Sequence, residues 1–286
     1  MSAQTKIEED TYQGPRHDGE YERLRVQHEM IKTLMKGRLV LAPVDLSKPD
    51  LAVLDSATAD GYWLLDLAQH VAPTATLMGA DIAPQRFLNP SELPANVSLF
   101  PQNIFDPWPD YAQNAFDLVH QRFVLPVCSD QTSMDVIRNL LVCVKSGGYL
   151  MLHDADFDSI EEGEGHEAME RLRDVLRRSW SMIGYNLSPG PKLRGWFEHA
   201  GLEDVHEEIL HIKVGASADN REDGERPIGV LLAALDGIRV NMGKMSGFFF
   251  SDEDFAKLKI DLKKELETNG NCYNTHIVWA RKAAEV

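Results

Sequence analysis

Short apolar runs alternate with helix-like stretches through the middle of the chain. Five runs have the length of buried strands: residues 51–55, 76–81, 96–100, 116–120 and 149–153. Apolar positions recur every three or four residues, as in amphipathic helices, in residues 21–37, 61–70 and 133–144. Strands and helices that alternate in this way build a parallel sheet with helices on both faces. The pattern therefore predicts an α/β fold.

The later part of the chain adds helices and two more strands. Helical spacing marks residues 167–185, 192–200, 228–242 and 252–268, and a charged stretch at residues 219–226 predicts an exposed loop. Strands at residues 205–214 and 274–280 fit an antiparallel terminal hairpin at one edge of the sheet. The predicted sheet is therefore mainly parallel, with one antiparallel portion.

Polar side chains follow the ends of the predicted strands. They are Asp55, Asp81, Asn103, His120 and His153. Parallel strands deliver their carboxyl ends to one edge of the sheet, where ligands bind in open α/β folds. We expect these residues to meet at a ligand site.

The loop after the first strand, residues 55–61, reads Asp-Ser-Ala-Thr-Ala-Asp-Gly and has one glycine. A dinucleotide fold presents several glycines to a pyrophosphate, and Asp60 would repel that group. The same acid tolerates S-adenosylmethionine, which carries an ammonium and a sulfonium. Asp81 could bind ribose hydroxyls of a nicotinamide cofactor or of S-adenosylmethionine, so it does not distinguish between them. A nicotinamide-dependent enzyme is therefore still an alternative, and the loop sequence makes it the weaker one.

Charge and cysteine content narrow the choice of partner and compartment. The 29 Lys and Arg against 45 Asp and Glu give a net charge of −16, which repels nucleic acid and anionic membranes. Three widely spaced cysteines, no signal-peptide pattern and no long apolar run predict a cytoplasmic protein. We expect a small-molecule substrate, with no nucleic-acid or membrane partner, and the sequence leaves a homodimer open.

Several motifs in this order resemble the fungal LaeA-like methyltransferases. They are residues 53–64, residues 116–122, residues 144–149 and the N-terminal stretch 21–28. The resemblance extends from about residue 21 to residue 201. It implies a class I, Rossmann-like methyltransferase fold that uses S-adenosylmethionine in secondary metabolism. On this basis residues 1–45 form a tail and helical lid, and residues 46–286 form the methyltransferase domain, with substrate-cap insertions at about 160–200 and 225–268.

The resemblance also implies a role for individual residues. Asp55, Ala57 and Gly61 would line the methionine and ribose part of the cofactor, while Asp81 would hold the ribose and Ile82 would pack on the adenine. Asn103 and Ile104 stand where such enzymes often carry an acid for the adenine amino group, His120 and Gln121 would lie near the methionine end, and Tyr21 would cover the cofactor. Two departures are alanines at positions 57 and 59, whose methyl groups oppose positive φ, and Asn103 in place of an acid.

His153 and His120 are the candidate catalytic bases, because imidazole titrates near neutral pH. Methyl transfer needs mainly alignment, so a base is not required. Asp154 and Asp156 follow His153, and we interpret them as a solvated acidic loop and predict no metal site. The expected function is transfer of a methyl group to nitrogen or oxygen of a small secondary metabolite. A regulatory or complex-forming subunit and a pericyclase-like enzyme that rearranges its substrate are the alternatives.

Overall fold

The sheet has seven strands, and the computed structural model describes residues 18–243, 245 and 247–284. The strands are β1 (Ala52–Ser56), β2 (Thr76–Asp81), β3 (Val97–Pro101), β4 (Phe116–Arg122), β5 (Val144–Asp156), β6 (Glu203–Val214) and β7 (Asn271–Arg281). Their order is β3-β2-β1-β4-β5-β7-β6, with β1 to β5 parallel and β7 antiparallel to both β5 and β6. The predicted α/β sheet, mainly parallel with an antiparallel portion at one edge, is confirmed.

Helices cover both faces of this sheet. They are α1 (Asp18–Leu34), α2 (Tyr62–Leu67), α3 (Asp130–Cys143), α4 (Glu167–Met182), α5 (Leu193–His199), α6 (Arg221–Asn241) and α7 (Asp252–Thr268). Successive strand residues point to opposite faces, so Val53 joins the core that includes α1, α4, α6 and α7, while Leu54 joins the core that includes α3 and α5. In the described part of the chain, no helix is both long and apolar enough to cross a bilayer.

The last two strands pair antiparallel as predicted, with α6 and α7 between them in the chain. One detail differs from the sequence prediction. The charged stretch at residues 219–226 was predicted as a loop, whereas α6 begins at Arg221. The Asn220 side chain accepts a hydrogen bond from the Asp223 amide at 3.0 Å, and Glu222 and Asp223 favour the positive end of the helix dipole. Polar capping residues here start a helix.

Candidate active site

A cavity of about 430 Å³ opens at the carboxyl ends of the parallel strands. Its polar half contains most of the residues predicted at the strand ends: Asp55, Ala57, Asp60, Asp81, Ile82, Asn103, Ile104 and His120. Helix α1 covers this half with Tyr21 and Arg25. The fold therefore brings the predicted ligand-binding residues together.

The loop between β1 and α2 is left-handed at alternate positions. Ala57, Ala59 and Gly61 have φ angles of 54°, 57° and 92°. Two hydrogen bonds donated by loop amides hold the loop against β2, from the Thr58 amide to the Ala80 carbonyl at 3.0 Å and from the Ala59 amide to the Asp81 side chain Oδ2 at 2.9 Å. The alanine methyl groups oppose positive φ but do not prevent it, so these hydrogen bonds hold Ala57 and Ala59 in a strained conformation.

Asp55 and His120 form a buried pair beneath the loop. Asp55 Oδ1 lies 2.7 Å from His120 Nδ1, and Asp55 Oδ2 accepts the Thr58 hydroxyl at 2.6 Å. The Trp63 ring stacks on the imidazole with centroids 3.9 Å apart. Burial lowers the pKa of His120 despite the opposing effect of Asp55. The ring is therefore neutral at pH 7, with the Nδ1 hydrogen directed at the carboxylate.

Asp81 connects the loop to the segment after β2. Its Oδ1 accepts the Ala83 amide at 2.9 Å, while its Oδ2 accepts the Ala59 amide. Asp81 lines the cavity, and a carboxylate can accept several hydrogen bonds, so its chemistry suits ribose hydroxyls there. Asn103 accepts the Phe105 amide at 3.1 Å, so its side-chain oxygen closes a local turn.

Ion pairs fasten α1 over the site. Arg25 Nη2 lies 2.7 Å from Asp60 Oδ2, and Lys32 Nζ lies 2.7 Å from Asp66 Oδ2. The Asp60 charge is therefore balanced by a guanidinium from α1. This corrects the argument that a free Asp60 carboxylate selects a cationic ligand, because the charge is already paired within the protein.

In the described part of the chain, His28, Glu29 and Asp66 have ligand atoms close enough together for a metal ion. The Lys32 ammonium contacts both Asp66 oxygens, at 2.7 and 2.8 Å, and His28 Nε2 contacts one of them at 2.8 Å. The Asp66 carboxylate already forms an ion pair with Lys32, so we infer that this cluster holds α1 in place and does not bind a metal ion.

Three predicted residues do not line the cavity. Gly61 is the N-cap residue before α2, where a Cβ atom would lie 3.1 Å from Leu99 Cδ1. Gln121 is fully buried and accepts the Ser56 hydroxyl at 3.0 Å. His153 is buried behind Thr275, with its Nε2 2.8 Å from the Thr275 hydroxyl.

Direct contact between His153 and a substrate in the cavity is therefore excluded in this conformation. Burial, with the nearby Arg122 charge as the next cause, holds the pKa of His153 well below its ordinary value. The two acids that follow are also buried: Asp154 is fully buried, and Asp156 is 8% exposed. Both belong to β5, which continues to Asp156. The interpretation of this stretch as a solvated acidic loop is wrong.

The second half of the cavity is apolar, and part of its lining comes from the segments 160–200 and 225–268, for which the sequence suggested a substrate cap without naming individual residues. Its aromatic residues are Phe123, Phe157, Trp180, Tyr185 and Tyr273, and α6 contributes Val230, Leu231, Ala233, Ala234, Gly237 and Ile238. Phe123 is a non-glycine residue at a φ of 57°, directly after β4, and such strain concentrates at functional sites. In the segment 242–250, which is rich in Met and Phe, Met242 lines the cavity, whereas Phe248 and Phe250 pack near Phe255.

Comparison with known proteins agrees with this arrangement. The model of the methyltransferase domain family matches residues 26–207. The chain belongs to this family. It is 42% identical over 268 residues to the N-methyltransferase tcpN of Claviceps purpurea, with 93% of this chain and 95% of that protein covered. It is 36% identical to the N-methyltransferase sirN of Leptosphaeria maculans, over 99% of both chains, and 31% identical to gliN of Aspergillus fumigatus, over 93% and 94%.

Solved structures share the fold at low sequence identity. The YcgJ protein of Bacillus subtilis superposes with a TM-score of 0.51 at 11% identity, covering 91% of this chain and all of that one. A candidate methyltransferase from Bacillus halodurans C-125 gives 0.53 at 14% identity, covering 90% and 100%. These similarities support the class I methyltransferase architecture of the sheet.

Proposed function

We propose that this chain transfers a methyl group from S-adenosylmethionine to a nitrogen atom of a small, largely apolar secondary metabolite. The observation that carries the proposal is one cavity with two chemically different halves. Acids at the ends of β1 and β2 line one half, and aromatic and aliphatic side chains line the other. The N-methyltransferase names of tcpN, sirN and gliN favour nitrogen over oxygen.

The residues of the polar half fit the cofactor chemically. The Asp81 carboxylate suits ribose hydroxyls, Ile82 suits the adenine face, and Asn103 offers a side-chain amide near the adenine position. The left-handed loop brings the backbone of Ala57 to the cavity, and Asp55 lies below it. S-adenosylmethionine would supply a methyl group on a positively charged sulfur, which makes that methyl group strongly electrophilic.

The protein's own contribution is binding, alignment and exclusion of water. The Arg25–Asp60 pair holds α1 over the polar half, and the apolar half receives the acceptor. His120 is already hydrogen-bonded to Asp55 and stacked on Trp63, so we assign it to the shape of the site. For an amine acceptor a general base is not required, because the nitrogen lone pair attacks the methyl group and the resulting ammonium can release its proton to solvent once the product leaves the cavity.

A label-transfer experiment tests the proposal. Protein incubated with methyl-labelled S-adenosylmethionine and a small-molecule extract of Aspergillus fumigatus, the source of gliN, should yield a labelled product with an N-methyl group, identified by mass spectrometry and NMR. Binding of the cofactor without any labelled product would refute the enzymatic function and favour a regulatory subunit. A product of unchanged mass but altered structure would instead favour a rearrangement.

Three finer expectations belong to the same proposal. The free, reduced cysteines Cys128, Cys143 and Cys272 support action in the reducing cytoplasm. The more specific resemblance to LaeA-like proteins and the homodimer stay predictions, which sequence comparison with that subfamily and light scattering would test.

A further inference from the structure

An arginine that the proposed chemistry does not use lies at the boundary between the two halves of the cavity. Arg122 is the last residue of β4 and lines the cavity. In the sheet, β4 lies between β1 and β5. The end of β1 leads into the loop of residues 57–61 at the polar half, while β5 neighbours β7, which contributes the cavity residues Tyr273 and Thr275. Arg122 therefore stands where a cofactor and an acceptor would meet.

The Arg122 guanidinium has no carboxylate partner among the described residues. Its Nη2 contacts His28 Nδ1 at 3.2 Å, and the structure gives no other hydrogen bond to the guanidinium within that part of the chain. Asp55 is close enough to raise the pKa of Arg122, but its two oxygens already accept hydrogen bonds from His120 and Thr58. Burial has the larger effect and lowers the pKa of Arg122 to about 10, so the group stays charged at pH 7.

A relay of hydrogen bonds orients this guanidinium. The Asp66 carboxylate lies 2.8 Å from His28 Nε2, and the His28 Nδ1 atom lies next to Arg122. Burial and the Arg122 charge lower the pKa of His28, so the ring is neutral and can donate from Nε2 to Asp66 while it accepts at Nδ1 from Arg122. His28 accepts a hydrogen bond from only one of the five N–H donors of the Arg122 guanidinium, so the other donors can bind a ligand.

The residue that follows Arg122 provides an independent sign of function. Phe123 adopts a φ of 57°, a strained conformation for a bulky side chain, and lines the apolar half together with Val124, Pro126 and Val127. Arg122 is half-buried, and a partly desolvated guanidinium without an anionic partner is also costly, a cost that a ligand oxygen would compensate. The strain at Phe123 and the energetic cost of the Arg122 charge both occur just after β4, at the apolar half of the cavity.

We propose that Arg122 binds an oxygen atom of the acceptor molecule, a carboxylate or an amide carbonyl, and so orients the acceptor for methylation. This inference rests on the proposed function, because it assigns the apolar half to the acceptor. Arg122 can donate two parallel hydrogen bonds to a carboxylate or one strong bond to a carbonyl oxygen. The acceptor class is then an apolar nitrogen compound that also carries such an oxygen.

Calorimetry with three compounds of similar size tests the assignment: phenylacetate, phenylacetamide and phenethylamine. Each is titrated into the wild-type protein, Arg122→Met and Arg122→Lys, with and without saturating S-adenosylhomocysteine. Arg171→Met is the matched control, because Arg171 pairs with Asp254 and does not line the cavity. Thermal unfolding of each variant establishes that it is folded.

We expect the wild-type protein to bind phenylacetate or phenylacetamide more tightly than phenethylamine. Loss of the charge-assisted hydrogen bond in Arg122→Met should weaken the oxygen compounds by about tenfold or more. Arg122→Lys should keep part of the phenylacetate affinity, and Arg171→Met should match wild type. Stronger binding of phenylacetate indicates a carboxylate acceptor, and stronger binding of phenylacetamide indicates a carbonyl.

Two results would overturn the inference. The first is that each of the three compounds binds Arg122→Met with the same affinity as it binds wild type. The second is a large loss of S-adenosylhomocysteine affinity in Arg122→Met with no change for the oxygen compounds, which would place Arg122 on the cofactor carboxylate. Failure of the proposed function has a different signature, namely a wild-type protein that binds no S-adenosylhomocysteine yet keeps the Arg122-dependent preference.

Discussion

Replacement of Ala57 and Ala59 by glycine should stabilise the protein. Both alanines have φ angles near 55°, where an L-residue with a Cβ atom is strained by about 1–2 kcal/mol. Glycine removes that strain but adds unfolded-chain entropy worth about 0.4–1 kcal/mol at each site. The difference leaves a net gain of about 0–1.6 kcal/mol for each substitution, with a midpoint of about 0.8 kcal/mol, and about twice that midpoint if the two sites add.

Thermal unfolding by circular dichroism measures this gain, which corresponds to about 2–4 °C for each kcal/mol in a domain of this size. Ala68→Gly is the control, because Ala68 has an ordinary right-handed φ of −58° after α2, and glycine there should destabilise by up to about 1 kcal/mol. A fall in melting temperature for Ala57→Gly or Ala59→Gly, comparable to that of Ala68→Gly, would refute the argument that this loop stores backbone strain.

Further predictions concern buried charge and the attachment of α1. Asp154 is fully buried, and among the described residues no donor meets hydrogen-bonding geometry to its carboxylate oxygens. Burial raises its pKa well above the ordinary value, and the nearby Leu125 backbone has a smaller, opposing effect. Ionisation therefore destabilises the folded state, so Asp154→Asn should gain stability over wild type as pH rises above about 4, by up to about 1.4 kcal/mol per pH unit until the folded-state pKa is passed. Urea unfolding from pH 4 to 8 tests this, and parallel curves for the two proteins would contradict it. Arg25→Ala should leave Asp60 unpaired and speed amide hydrogen exchange in α1, with weaker binding of S-adenosylhomocysteine by up to about fivefold. Unchanged exchange across α1 would show that the Arg25–Asp60 pair does not hold it.

The sheet and most helices could be predicted because their signals are local. Apolar runs mark β1 to β5, and α7 begins and ends at the predicted residues. Its start follows a polar cap, in which Ser251 and Asp254 exchange hydrogen bonds with each other's backbone amides. Such signals involve only a few neighbouring residues, so they can be recognised without the tertiary structure.

The candidate site was predicted less completely because its details depend on contacts between distant residues. Asp60 appears as an isolated acid in the sequence, and its partner Arg25 lies 35 residues away. His153 appears to end a strand, but β5 continues to Asp156 and pairs His153 with Ile277 inside the sheet. Arg122 and Phe123 follow the predicted strand of residues 116–120, and they are distinguished by the backbone strain at Phe123 and by the lack of a carboxylate partner for Arg122 among the described residues.

The central claim is that this cavity binds S-adenosylmethionine through the acid at the end of β2, and calorimetric titration with S-adenosylhomocysteine tests it most directly. Wild type should bind, and Asp81→Ala should lose about tenfold or more in affinity, because the substitution removes hydrogen bonds to the ribose and the acceptor of the Ala59 amide. Asp110→Ala, an exposed acid outside the cavity, should bind as wild type does. No binding to wild type at millimolar concentration, or equal affinity in Asp81→Ala, would contradict the account.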